Sequence, residues 1–203
     1  EIANDHMRAT DEALGRMWAS KLGLPPDIAA ARQAASALWR QVERLLASQP
    51  TDWTLFWRQL SEVPAAAAES DAVLLLLIEP SWYEPQPDER MRAEWVRWLR
   101  KWLESLSLHP RAFTRDATAA TEEIVDDAVA IGEAMRQASP KYIPREWMLV
   151  EAYEAAERGD FTPLHALHSL LRRPYDEQPE AAPRFYRRRP EGAEQQGGVG
   201  FMS

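Results

Sequence analysis

The stretch DERMRAEWVRWLRKWLESLSL, residues 88–108, decides the fold class of this 203-residue chain. Its large apolar residues follow one another at spacings of three, one, three, one and three, which is the period of one face of an α-helix. That face consists of Trp95, Trp98, Leu99, Trp102, Leu103 and Leu106. Asp88 and Glu89 lie in the first turn, where a negative charge is favourable. The stretch therefore predicts a long helix.

The same helical spacing continues through the chain up to residue 173. It predicts further helices at about 3–22, 27–48, 53–60, 73–78, 114–138, 144–158 and 160–171. The alternation typical of half-buried strands is almost absent, and only the run at 73–78 is short enough to be a buried strand instead. We therefore predict an all-α, multi-helix bundle of about seven to eight helices.

The composition changes after residue 173. Pro174, Pro179, Pro183 and Pro190 recur, and four of the eight glycines follow residue 191. Such a segment is typical of an extended tail. We predict a helical region at 1–173 and an extended tail at 174–203.

Composition excludes several classes of protein. The net charge is −8, from 24 basic and 32 acidic residues, which argues against a general nucleic-acid binder. The absence of cysteine excludes disulfides and a thiol nucleophile. The longest apolar run, 72–78, is too short to span a bilayer. Because residue 1 is Glu rather than Met and no signal peptide opens the chain, we expect a fragment, a processed chain or a part of a longer protein.

Few residues suggest chemistry. Trp95, Trp98 and Trp102 suit a stacking platform for bases or sugars, but their helical spacing favours a core. His165 and His168 share a helix face and lack a third metal ligand, while His6 and His109 stand alone. No phosphate-binding glycine loop and no kinase motif occur.

Two charged clusters remain. Glu122, Glu123, Asp126 and Asp127 form an acidic stripe that is typical of a solvated helix face, with Mg²⁺ binding or acid–base chemistry as the alternative. A basic cluster lies in the tail, where binding of phosphates or of an acidic partner and a merely solvated stretch are equally good interpretations. Its members are Arg184, Arg187, Arg188 and Arg189.

Five segments resemble the selenoprotein O family. The segments SPKYIPRE (139–146) and AAERGDF (155–161) are similar to the family's NPKYVLRN and AAEKGDF, and LLRRPYDEQP (170–179) closely matches its text. Upstream, DWTLFWRQL (52–60) and RMWASKLGL (16–24) resemble its DYTLFFRALS and MRAKLGL. Order and spacing agree over about residues 8–179. The segment at 139–146 departs from the family at its first position and at its last and third-last positions.

The resemblance implies an atypical kinase fold, sometimes called a pseudokinase, that transfers AMP from ATP to Ser, Thr or Tyr hydroxyls of proteins with Mg²⁺ or Mn²⁺. In eukaryotes the family is mitochondrial; otherwise we expect a cytoplasmic protein. The nucleotide and metal residues of the family lie in an N-terminal kinase-like part, and this chain matches the C-terminal helical part. No catalytic, cofactor-binding or metal residue is therefore assigned in this chain.

We accordingly predict a non-catalytic helical part that supports the kinase-like part of a selenoprotein O-like adenylyltransferase. Its partners are that kinase-like part or other subunits, and the protein substrates of the parent enzyme. The alternative is a non-catalytic scaffold subunit derived from the same family. We expect the isolated chain to self-associate through exposed apolar helix faces. Family members commonly carry a Cys or selenocysteine close to the C-terminus, which we expect to follow Ser203.

Overall fold

A computed structural model of the chain describes residues 2–110 and 127–190. Within these ranges the chain forms nine α-helices and two short 3-10 turns at Pro64–Ala66 and Glu79–Ser81. The helices are Ile2–Lys21 (α1), Ala29–Ser48 (α2), Trp53–Leu60 (α3), Asp71–Ile78 (α4), Glu89–Leu108 (α5), Asp127–Ala138 (α6), Glu146–Glu157 (α7), Thr162–Leu171 (α8) and Ala182–Phe185 (α9). The all-α prediction is confirmed.

Local sequence sets where several helices begin and end. The carboxylates of Asp52 and Asp88 accept hydrogen bonds from the backbone N–H three residues further on and so cap α3 and α5. Gly23 and Gly159 follow α1 and α7 with φ of +73° and +84°, in the left-handed region that glycine tolerates best. Asp88, placed in the first turn by the sequence prediction, is thus the residue just before the helix, which begins at Glu89.

The larger of two hydrophobic clusters is built around α5. Trp95 and Trp102 are completely buried and Trp98 is 3% exposed, so the face predicted from residues 88–108 is core. The indole N–H of Trp98 donates to the backbone oxygen of Leu38 at 3.1 Å, and that of Trp102 donates to Leu22 at 2.9 Å. These three tryptophans therefore form part of the core and not a stacking platform for bases or sugars.

The smaller cluster is formed by α7, α8 and α9. Its buried residues are Tyr142, Trp147, Met148, Ala152, Leu167, Leu170 and Phe185. Phe185 comes from the tail, which packs against α7 and α8 and contributes the ninth helix. The sequence did not predict this four-residue helix. The predicted boundary at residue 173 stays a prediction.

Two further predictions can be compared with the structure. The run at 73–78 belongs to α4, so the strand alternative is wrong; among the described residues the one β-bridge joins Thr51 to Trp82. Of the helix predicted at 114–138, the part before Asp127 lies outside the described residues. Throughout 2–110 and 127–190, every helix is too short or too polar to cross a lipid bilayer.

Candidate functional site

A cleft of about 490 Å³ lies where the two hydrophobic clusters meet. The N-termini of α3 and α7 both contribute to its wall, so two helix ends with partial positive charge face the same region. Two prolines, an isoleucine and two tryptophans are among the residues that line it. The lining residues are Pro50, Thr51, Asp52, Trp53, Thr54, Tyr83, Ile143, Pro144, Arg145, Trp147 and Arg189.

A buried ion pair forms the polar centre of the cleft. The guanidinium of Arg145 donates to both oxygens of the Asp52 carboxylate, with each N···O distance 2.6 Å. The side chains are 11% and 4% exposed. Asp52 is also the cap of α3, so one carboxylate fixes the start of that helix and holds the residue that precedes α7. Such bidentate geometry is the strongest that an arginine offers.

Tyr83 extends this polar centre towards the tail. Its hydroxyl donates to the Asp52 carboxylate at 3.0 Å and accepts from the backbone N–H of Arg189 at 3.1 Å. Burial raises the pKa of Tyr83, and the nearby Asp52 charge raises it further, while the Arg189 hydrogen bond acts in the opposite direction. The phenol is therefore a neutral connector at physiological pH.

The basic cluster of the tail lies beside the cleft. The guanidinium of Arg187 lies 4.9 Å from the ring centre of Trp147, and that of Arg188 lies 5.9 Å from the ring centre of Tyr83. Arg188 also donates to the backbone oxygen of Trp82. These contacts place the tail arginines against cleft-lining rings, so the interpretation as a merely solvated stretch is incomplete.

A second polar cluster ties the tail to α3 from the other side. Arg58 is buried and donates to the backbone oxygens of Arg136 and Ser139, each at 3.2 Å, and to the carboxylate of Glu177. The Lys141 ammonium donates to the same carboxylate at 2.6 Å. One acidic side chain is thus shared by cations from α3 and from the segment before α7.

Burial raises the pKa of Glu177, but the hydrogen bond from Lys141 and the charges of Arg58 and Lys141 lower it by more, so its pKa lies below the ordinary value. Glu177 is therefore an anion at neutral pH. Glu177 and Asp52 therefore make the boundary between the two hydrophobic clusters ionic rather than apolar.

The other residues considered from sequence take no part in this cleft. His6, His165 and His168 are exposed, and the described residues contain no group of three metal-ligating side chains. Glu122, Glu123 and Asp126 lie outside the described residues, and Asp127 begins α6. Neither Arg145 nor Tyr83 was predicted from the sequence as a site residue. Arg145 could have been found, because it lies in the SPKYIPRE segment that resembles the family.

No family model matches the chain. It is similar to the "Protein nucleotidyltransferase YdiU" of Methylobacillus flagellatus, with 27% identity over all 203 residues and 35% of the relative. It is 30% identical to the protein of that name from Azoarcus sp. over 98% of the chain and 34% of the relative. For Aeromonas salmonicida the identity is 38% over 72% of the chain and 25% of the relative.

The chain spans about a third of the length of the curated relatives that it matches over most of its own length. The matched third is the C-terminal part of those relatives. All three carry the same name, and that name agrees with the resemblance carried by residues 139–179. The chain therefore belongs to the selenoprotein O family, which includes the YdiU protein nucleotidyltransferases, and corresponds to its C-terminal part.

Proposed function

We propose that this chain is the helical C-terminal part of a protein adenylyltransferase, and that its own role is to support a kinase-like catalytic part. The observation that carries the proposal is the match of nearly the whole chain to one third of proteins named protein nucleotidyltransferases. In this proposal the remaining two thirds bind ATP with Mg²⁺ and transfer AMP to protein hydroxyls. The compartment is the mitochondrion in a eukaryote and the cytoplasm otherwise.

The polar residues of the cleft support a structural role. Asp52 is engaged by Arg145, by Tyr83 and by the N-terminus of α3, which leaves it poorly placed to accept a proton from a substrate. Arg58 is similarly occupied by three backbone oxygens and one carboxylate. Groups held this firmly suit positioning of helices better than acid–base chemistry.

An exposed apolar face on α1 supports contact with another part of the parent protein. Met7, Leu14 and Met17 are spaced by seven and three residues, so they share a face of the helix. They are 63%, 44% and 38% exposed. An apolar stripe on a surface helix is typical of a covered interface. In the proposal, the kinase-like part covers this face.

The test compares AMP transfer by three forms of the full-length parent protein. The first is the wild type. The second ends just before Glu1 and so lacks the helical part described above. The third has Met7 and Met17 both changed to Gln. Labelled ATP, Mg²⁺ and a mixture of acceptor proteins report the transfer. We expect the truncated form to lose activity or solubility, and the double variant to lose activity in part, since its apolar face no longer matches the catalytic part.

Wild-type activity in the truncated form would contradict the supporting role. No AMP transfer by the intact parent would contradict the enzyme and favour the alternative of a non-catalytic scaffold. A matched control is the change of His165 and His168 to Gln, two exposed residues on α8, which leaves activity unchanged.

A further inference from the structure

We infer that the region of α7, α8 and α9 opens from the rest of the chain as one folded body, with Pro140 as its hinge. We call residues 140–190 the smaller lobe, and the described residues before them the larger lobe. Each lobe contains one of the two hydrophobic clusters. The inference does not depend on the proposed function.

The two lobes share no apolar core. Among the described residues, every buried or partly buried member of the larger cluster lies at or before Met135, and every member of the smaller cluster lies at or after Tyr142. The main packing partner of α7 is α8, which belongs to the same lobe. A cleft of about 490 Å³ lies between the lobes. Parts of a chain that no large apolar interface joins are expected to move relative to each other.

Charged and hydroxyl groups hold the lobes together in pairs, with one partner in each lobe. The pairs are Asp52 with Arg145, Arg58 with Glu177, and Tyr83 with the backbone N–H of Arg189. When the lobes part, the charged groups regain hydration, which offsets much of the attraction that is lost. Opening is therefore less costly than unfolding either hydrophobic cluster.

The pair of Arg58 and Glu177 shows why the open form is not strained. Arg58 keeps the backbone oxygens of Arg136 and Ser139, which belong to the larger lobe. Glu177 keeps the Lys141 ammonium at 2.6 Å, because both residues belong to the smaller lobe. Each charge thus has a partner within its own lobe, so opening leaves neither of them buried and unpaired.

Hydrogen bonds on either side of Pro140 place the hinge at this residue. Ser139 is fixed to the larger lobe, because its hydroxyl accepts from the Lys21 ammonium at 3.2 Å and its backbone oxygen accepts from the guanidinium of α3 at 3.2 Å. Lys141 is fixed to the smaller lobe, because its backbone N–H donates to the backbone oxygen of Pro174 at 2.8 Å. The proline ring holds φ of Pro140 at about −65°, so the chain bends at ψ of Pro140 and φ of Lys141.

Distances between spin labels test the inference. The chain contains no cysteine, so two introduced cysteines are its only labelling sites. Glu43→Cys on α2 and Glu154→Cys on α7, both at exposed positions, report the distance across the lobes. Glu154→Cys with Ser169→Cys on α8 reports the distance within the smaller lobe. The labelled chain is diluted with unlabelled chain and measured by double electron–electron resonance.

The double variant Tyr83→Phe with Glu177→Gln weakens the closed form, because each change removes a contact that crosses the lobes. Each change raises the ratio of open to closed molecules by about tenfold. We expect a second, longer distance across the lobes and an unchanged distance within the smaller lobe. Asp71→Asn is the matched control, because Asp71 pairs with Arg100 inside the larger lobe, and it leaves both distances unchanged.

Pro140→Gly, added to the double variant, tests the position of the hinge. Glycine frees φ at this residue, so we expect the longer distance to become more broadly distributed. A longer distance that keeps its width would place the hinge elsewhere and would contradict this part of the inference.

Two further results would overturn the inference. A single distance across the lobes in the double variant would show that the lobes stay joined without these contacts. A change of the distance within the smaller lobe at the same time would show local unfolding instead of opening. If circular dichroism shows that the double variant is unfolded, Glu177→Gln alone carries the test, because the Glu177 side chain is 60% exposed and the variant keeps both hydrophobic clusters intact.

Discussion

Arg145 and Asp52 are 93 residues apart in the chain, and two nitrogens of the one lie 2.6 Å from the two oxygens of the other. This pair joins the start of α3, in the larger hydrophobic cluster, to the start of α7, in the smaller one. Both side chains are nearly buried, so forming the pair costs desolvation energy. The attraction between the two charges offsets that cost only because both hydrogen bonds of the bidentate pair are made.

Changing Asp52 to Asn therefore destabilises the chain by about 3 kcal/mol, since it leaves the buried Arg145 cation without a counter-charge. The measurement is urea denaturation followed by circular dichroism. Asp71→Asn is the control, because Asp71 pairs with Arg100 at 2.8 Å but is more than half exposed, and it costs less than about 1 kcal/mol. Equal losses from the two variants would show that burial of the pair has no energetic role.

The tryptophans of α5 give a second prediction, about hydrogen bonds inside the larger cluster. Trp95 and Trp102 are both completely buried, but only Trp102 has an acceptor for its indole N–H among the described residues, the backbone oxygen of Leu22. Trp102→Phe leaves that oxygen unpaired. It therefore costs about 1 kcal/mol more than Trp95→Phe in the same denaturation experiment. A larger loss from Trp95→Phe would refute the assignment.

Two helical glycines give a third prediction. A Cβ added at Gly132 would lie 2.5 Å from the backbone oxygen of Ser61, so Gly132→Ala must separate α6 from the end of α3. It costs about 1–3 kcal/mol, as overpacking does. In Gly15→Ala the nearest atom lies 3.4 Å away, and the better helix propensity of alanine makes this change neutral or stabilising. Thermal midpoints measure both, and a stabilising Gly132→Ala would contradict the close approach.

Glu177 gives a prediction about pH. Its pKa in the folded chain lies below its ordinary value of 4.5, so the unfolded chain binds more protons in the interval between the two values. The stabilisation by Glu177 is complete above pH 4.5 and is lost as the pH falls through the lower, folded pKa. In Glu177→Gln the free energy of unfolding therefore falls less steeply below pH 4.5. If the free energy of unfolding depends on pH in the same way for the wild type and the variant, then Arg58 and Lys141 do not stabilise the ionised carboxylate.

Much of this fold is predictable from residues 88–108 and from the other segments with the same helical spacing. In all of them the positions of large apolar side chains specify the buried face of a helix directly. Capping by Asp88 and the glycine stops of α1 and α7 are equally local. The predictions at 3–22, 27–48 and 53–60 therefore lie within a few residues of α1, α2 and α3.

The cleft was less accessible to sequence reasoning for a physical reason. Its polar centre joins Asp52, Tyr83 and Arg145, which are far apart in sequence. Asp52 and Arg145 lie in two separate segments that resemble the family, and nothing in either segment indicates that the two side chains meet. The capping of α3 by Asp52 is a local feature, but the second role of Asp52 depends on how α7 docks. The tail helix at Ala182–Phe185 escaped prediction because four residues hold too little periodicity.

The division of the apolar interior into two clusters has a consequence for divergence among relatives. Each cluster has its own apolar interior, whereas their relative orientation rests on a few directional contacts around Asp52 and Glu177. Substitution at those contacts changes the orientation of α7 and α8 relative to the larger cluster, and with it the position of their outer surface, while both interiors stay folded. The exposed surface of α7 and α8 can therefore diverge among relatives through exchange of a few charged side chains, without a change in either hydrophobic cluster.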